Sequence, residues 1–191
     1  MEAGVRAVVL VEGISDKIAV EALAARRGRD LDAEGVAVVP IGGAQAIGRF
    51  LRRYATERPD VKLAGLCDAG EEAEFRRGLE RAGLGSSLTR AEMERLGFYV
   101  CVDDLEDELI RALGADTVEH VVDAHGDLGP FRTLQKQPAW QGRPAEDQLH
   151  RFMGSGGRRK IRYARYLVEA LDLAHVPRPL DLVLAHVADE R

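Results

Sequence analysis

The amino-acid sequence predicts an α/β fold: a mostly parallel four-stranded sheet flanked by helices, with a helical extension at the C-terminal end. Three observations carry this expectation. Short Val-rich apolar runs alternate with segments of helical spacing through the first part of the chain. Each apolar run stops at a glycine, an acid or both. Beyond residue 115 the strand signal gives way to helices and loops.

Ala7–Val11 reads as the first strand, ended by Glu12-Gly13, and residues 17–27 place Ile18, Ala19, Ala22 and Leu23 at helical spacing. Residues 36–41 form a second strand closed by Gly42-Gly43. A helix follows over about 45–58, with Ile47, Phe50, Leu51 and Tyr54 on one face and Pro59 beyond its end. Lys62–Cys67 is the third strand, and 71–81 the third helix, ending near Gly83. Residues 98–102 are the fourth strand, and Leu105–Leu113 a helix that Gly114 stops. Residues 126–144, rich in Gly, Pro and Gln, read as an extended connection packed through Phe131 and Trp140. The last clear helix covers 160–173, buried through Ile161, Ala164, Val168 and Leu171 and ended by Pro177 and Pro179. The division expected is a sheet domain over 1–115 and a helical extension over 116–191 packed on it.

Right-handed crossovers put the carboxyl ends of all four strands on one side, where open sheets bind their ligands. Carboxylates arrive there from three separate strands. Glu12 and Asp16 flank the first strand-to-helix turn, Asp68 ends the third strand, and Glu106 follows the fourth within Asp103-Asp104-Leu105-Glu106-Asp107. Converging carboxylates stay ionised together only if a cation offsets them or their pKa values rise. Oxygen ligands without His or Cys favour magnesium or manganese, as one or two ions, with calcium as the alternative.

The net charge of −5 argues against a general nucleic-acid coat protein. Charge is uneven, however: Arg158, Arg159, Lys160, Arg162 and Arg165 fall in one stretch with no acid among them. Arg158, Arg159 and Arg162 are the candidate contacts to a nucleic-acid backbone. Residues 154–157, with three glycines, give Lys160 a flexible approach to the acids. Cys67 and Cys101 sit in apolar runs and read as small core hydrophobes. No apolar run approaches the roughly 20 residues of a membrane span, and no secretory signal opens the chain, so a cytoplasmic protein is expected. Gly42-Gly43 and the glycines at 154–157 lack the Lys-Ser/Thr ending of a P-loop. A phosphate-accepting signalling domain would need a lysine after a late strand, and none occurs between Lys62 and Lys136.

The string Leu10-Val11-Glu12-Gly13-Ile14-Ser15-Asp16 resembles the opening motif of Toprim domains, and in particular that of nucleases of the overcoming-lysogenisation-defect (OLD) family. The resemblance covers roughly residues 5–114 well and the tail loosely. It implies a Toprim-like, Rossmann-like fold. It also implies Glu12, Asp16, Asp68 and Glu106 as the metal ligands, and Glu12 and Lys160 as the catalytic pair. Asp68 takes the first position of the family's Asp-x-Asp motif, but Gly70 stands at the second. Glu71, Glu72 and Asp104 are the candidate replacement ligands. The family's long nucleases carry an ATPase domain ahead of the Toprim part, for which these residues leave no room.

The function expected is therefore a divalent-metal-dependent nuclease, or a nucleotidyl transferase or hydrolase, acting on nucleic-acid phosphodiesters. The alternative is a non-catalytic module that binds a nucleotide or a nucleic-acid end, for which Gly70 speaks. The partners expected are nucleic acid, DNA ahead of RNA, with a separate ATPase or a second copy of the chain beside it.

Overall fold

The computed structural model describes residues 4–188; the outermost residues of the two expected segments, 1–3 and 189–191, lie outside it. Four strands, β1 (Ala7–Val11), β2 (Val36–Pro40), β3 (Lys62–Cys67) and β4 (Phe98–Val100), form one parallel sheet in the order β2-β1-β3-β4. Helices α1 (Ile14–Arg26), α2 (Ile47–Glu57), α3 (Glu72–Arg81) and α4 (Arg90–Arg95) belong to the crossovers. After β4 come α5 (Leu105–Leu113), α6 (Ala115–Ala124), α7 (Leu128–Gln135), α8 (Ala145–Gly154), α9 (Gly157–Ala170) and α10 (Arg178–His186). No described helix is long and apolar enough to cross a membrane.

Every residue of β1 is buried, as suits a central parallel strand covered on both faces. Ala7, Val9 and Val11 point into a core shared with α1, α5, α6 and α8–α10. Val8 and Leu10 point into a second core built by α2, α3 and α4. The helices after residue 115 thus share one hydrophobic core with a face of the sheet. Arginines of the first half lock them in place. Arg26 donates to the carbonyls of Val168 and Leu171 at the end of α9, and Arg29 to that of Leu184 in α10. Helix-end carbonyls lack intrahelical donors, so such bonds satisfy groups that burial would otherwise strand.

The structure departs from the sequence reading in several places. Strand β4 is shorter than 98–102 because Val102 N–H turns away to the Glu108 carboxylate, at 2.8 Å. The connection over 126–144 contains helix α7, with Phe131 fully buried. Gly129 and Pro130 fall in its first turn, where a missing N–H costs nothing. Helix α9 begins at Gly157 and buries Tyr163, Ala164, Leu167 and Val168, while Ile161 is only half-buried. Helix α4 is an addition to the sequence reading, started by the capping box of Thr89-x-x-Glu92.

Candidate metal centre

The order β2-β1-β3-β4 makes the gap between β1 and β3 the sheet's topological switch point, because the chain leaves β1 toward one edge and β3 toward the other. Crossover helices diverge there and open a crevice at the carboxyl ends. Glu12 follows β1 and Asp68 follows β3, whose registers pair Val11 with Leu66. Glu12 Oε1 accepts the Asp68 backbone N–H at 3.0 Å, which ties the two strand ends together. Both residues line a cleft of about 570 Å³ with Gly70, Glu71, Asp103 and Asp104. Its far wall comes from the tail, through Trp140, Arg143, His150 and Arg151.

Asp16 and Glu106 lie behind this cleft, both buried. Asp16 Oδ2 accepts the Gly13 N–H at 2.8 Å and so caps α1. Glu106 forms an ion pair with Lys160 Nζ at 3.0 Å. Lys160 is the cation around which the acids are arranged. Its charge opposes ionisation penalties on Glu12, Asp16, Asp68 and Glu106 alike.

That one lysine does not suffice. Burial, then the charges of Glu12, Asp16 and Asp104, push the Asp68 carboxyl up to about 8. Burial likewise raises Glu12, Asp16 and Glu106 above the ordinary carboxylate range. Burial would lower Lys160, but the charge and hydrogen bond of Glu106 hold it above its usual value. Among the described residues no three His, Cys, Asp or Glu side chains already stand together as a ready-made cation cage. The chemistry of the donor set still fits a hard divalent cation: oxygen donors only, half-buried, repelling one another, at a crevice open to solvent.

The candidate replacement ligands separate. Glu71 lines the cleft beside Gly70 and also a second cleft. Glu72 turns away: Arg90 and Arg76 bind it and hold its carboxyl below the usual range. Asp104 is already committed, with Oδ1 accepting the Asp107 N–H as the cap of α5 and Oδ2 2.7 Å from His150 Nε2. Burial would raise Asp104, but the bonds from His150 and Asp107 keep it low. The Asp104 hydrogen bond raises His150 in turn. Sequence reasoning did not single out His150, because nothing in a lone histidine on α8 signals a partner 46 residues earlier.

The three arginines at the start of α9 also part company. Arg159 lies over the Phe152 ring at 4.1 Å and donates to Ser155. Arg162 pairs with Asp127 at 3.3 Å, beside the Tyr163 hydroxyl. Arg158 is exposed. Cys67 and Cys101 are buried, and burial pushes both thiols up, as inert core residues.

Residues 5–69 match the family model described as Overcoming lysogenization defect protein-like, TOPRIM domain, a stretch that contains Glu12, Asp16 and Asp68. No curated protein matches the sequence. Among solved structures, the C-terminal region of the Xanthomonas campestris pv. campestris OLD protein is 23% identical, with a TM-score of 0.73 over 96% of this chain and 92% of that one. The C-terminal region of the Burkholderia pseudomallei OLD protein is 18% identical, with a TM-score of 0.68 over 96% of each chain. The sequence match ends just past Asp68, whereas the likeness of fold continues through the tail that supplies Lys160. Residues 5–69 are therefore similar to an OLD-like TOPRIM domain, and the fold of the chain is that of the C-terminal regions of OLD proteins.

Proposed function

We propose that this chain is a divalent-metal-dependent phosphodiesterase that cleaves nucleic acid, DNA ahead of RNA. The observation that carries the reading is the meeting of Glu12 and Asp68 at the switch point, facing one open cleft with too little positive charge to offset them. Glu12 and Asp68, joined by Glu71 in place of the acid missing at Gly70, would hold magnesium or manganese. Asp16 and Glu106 stand behind them as further ligands. A cation bound there supplies Lewis-acid stabilisation of charge on a phosphoryl group. Glu12 is the candidate general base, because burial moves its carboxyl toward the pH range where a base works best. Lys160 Nζ, held by Glu106, is placed to offset negative charge that develops near the acids.

A second reading rests on Gly70. With a glycine where a carboxylate is expected, the site could hold one cation and recognise a nucleotide or a nucleic-acid end without cleaving it. The test of both is incubation of supercoiled plasmid and single-stranded DNA with manganese, magnesium or calcium, beside Glu12→Ala. Cation-dependent cleavage by the native chain and none by the variant supports the enzyme. Cation-dependent binding without cleavage supports the module.

A further inference from the structure

A second cleft, of about 510 Å³, lies beside the first and shares Glu12 and Glu71 with it. It runs toward the end of β2, past Gly42–Ala46, to Arg49 in the first turn of α2. The order of features along this edge follows the strand order. Gly42-Gly43 and Arg49 come after β2, Glu12 after β1, Asp68 and Gly70 after β3, Asp103 and Asp104 after β4, and then the wall of the tail. The acids thus occupy the middle of a trough that crosses the sheet edge, roughly 14 Å wide at the usual strand spacing.

Both ends of the trough carry guanidinium groups. Arg49, Arg143 and Arg151 are exposed, and among the described residues none of them is paired with a carboxylate. Arg53, Arg95 and Arg165 elsewhere on the surface are each bound to an acid of their own helix. Arg52, Arg81 and Arg158 are exposed without an ion pair among the described residues too, but they line neither cleft, so position at the trough is what distinguishes Arg49, Arg143 and Arg151. Arg143 is also positioned. Its guanidinium lies over the half-buried Trp140 ring at 5.3 Å and its Nε donates to Ala139 O at 3.0 Å, which leaves both terminal nitrogens for a ligand. Glu146 and Asp147 line the same wall, and neither is ion-paired with Arg143 or Arg151.

We propose that a nucleic-acid strand crosses the carboxylate cluster through both clefts, held through its phosphates by Arg49 at one end and by Arg143 and Arg151 at the other. A planar guanidinium grips a phosphate with paired hydrogen bonds, and unpaired ones have no acid to leave. The acids repel a strand that lacks cations, so the anchoring charge has to lie outside them. This inference rests on the proposed reading that nucleic acid is the substrate, and it moves the binding surface from the start of α9 to the two clefts.

The test is binding of a fluorescein-labelled single-stranded oligodeoxynucleotide, followed by anisotropy in calcium over a range of salt. It compares the native chain, each single variant Arg49→Ala, Arg143→Ala and Arg151→Ala, and the triple variant. A charge-matched control removes Arg53, Arg95 and Arg165. Manganese-induced thermal stabilisation is measured on all of them, and plasmid cleavage on the native chain. The triple variant should bind at least about tenfold more weakly, with its salt slope reduced by about 0.7 per lost contact. The control should bind as the native chain does, and the manganese shift should be unchanged throughout. Equal weakening by the control, or native binding by the triple variant, overturns the proposal while leaving a cleaving enzyme intact. An Arg49→Ala variant that binds normally overturns the path through the second cleft. A native chain that shifts with manganese yet neither binds nor cleaves DNA overturns the proposed function and this inference together.

Discussion

Asp68→Asn should stabilise the protein when divalent cations are absent, although it removes a central candidate ligand. The Asp68 carboxyl rises from 3.8 to about 8, first through burial and then through Glu12, Asp16 and Asp104. One pKa unit corresponds to about 1.4 kcal/mol, so holding this group in the folded state at pH 7 costs at most about 4 kcal/mol. Solvent reaches the open side of the group, and screening reduces the cost to about 1–2 kcal/mol. The sign follows from linkage. The folded protein keeps its proton where the unfolded chain has released it, so stability falls as pH rises from about 4 to about 8. Asparagine carries no charge, and among the described residues no donor is hydrogen-bonded to the Asp68 carboxylate that the change would strand. In EDTA at pH 8 the variant should melt about 2–8 °C above the native chain, with the gap closing toward pH 4. Saturating manganese should reverse the order, since a cation at a hundred times its dissociation constant adds about 2.7 kcal/mol to the native chain alone. Thermal denaturation followed by circular dichroism, in EDTA at pH 8 and pH 4 and in saturating manganese, measures each of these. A variant no more stable than the native chain in EDTA at pH 8, or a gap insensitive to pH, would refute the argument that the acid cluster is strained without a cation.

Glu71→Ala should reduce manganese-induced stabilisation and DNA cleavage together. Glu72→Ala should leave both intact and cost about 1 kcal/mol at most, because its bonds are partly exposed ion pairs with Arg76 and Arg90. Gly70→Asp is sterically open, since a Cβ there meets nothing within 4 Å and the backbone does not adopt positive φ. It should raise manganese affinity, as read by calorimetry, through the ligand charge it restores. Lys160→Ala leaves the buried Glu106 without its partner and should cost about 1–3 kcal/mol in EDTA, less than a fully enclosed pair because the lysine is partly exposed. If manganese takes over the offsetting of charge, it should recover part of that loss in a melting experiment.

Much of the fold was legible because each strand declares itself locally. Ala7–Val11 and Lys62–Cys67 are apolar runs bounded by acids and glycines, and their ends agree with the structure. The acids at these ends were legible for the same reason, since in a parallel sheet a residue just past a strand falls at the ligand edge. The tail resisted because its signals depend on what it packs against. Phe131 and Pro130 lie in a stretch whose composition suggests a loop, yet Phe131 is anchored against Phe152 in a shared core. Helix α8 could not be placed until α5 and α9 enclosed it, and with it went the wall of the cleft.

Sequence alone settled which residue types gather: acids past β1, β3 and β4, a glycine at position 70 and a lysine in the tail. Tertiary structure alone decided their division of labour. It turned Glu71 toward the cleft and Glu72 toward Arg76 and Arg90, gave Asp104 to His150, and set Lys160 against Glu106. These are choices between neighbours one to three residues apart, or pairings across about 50 residues. They are made by side-chain burial and by which opposite charge lies within reach, and neither quantity exists before the chain is folded.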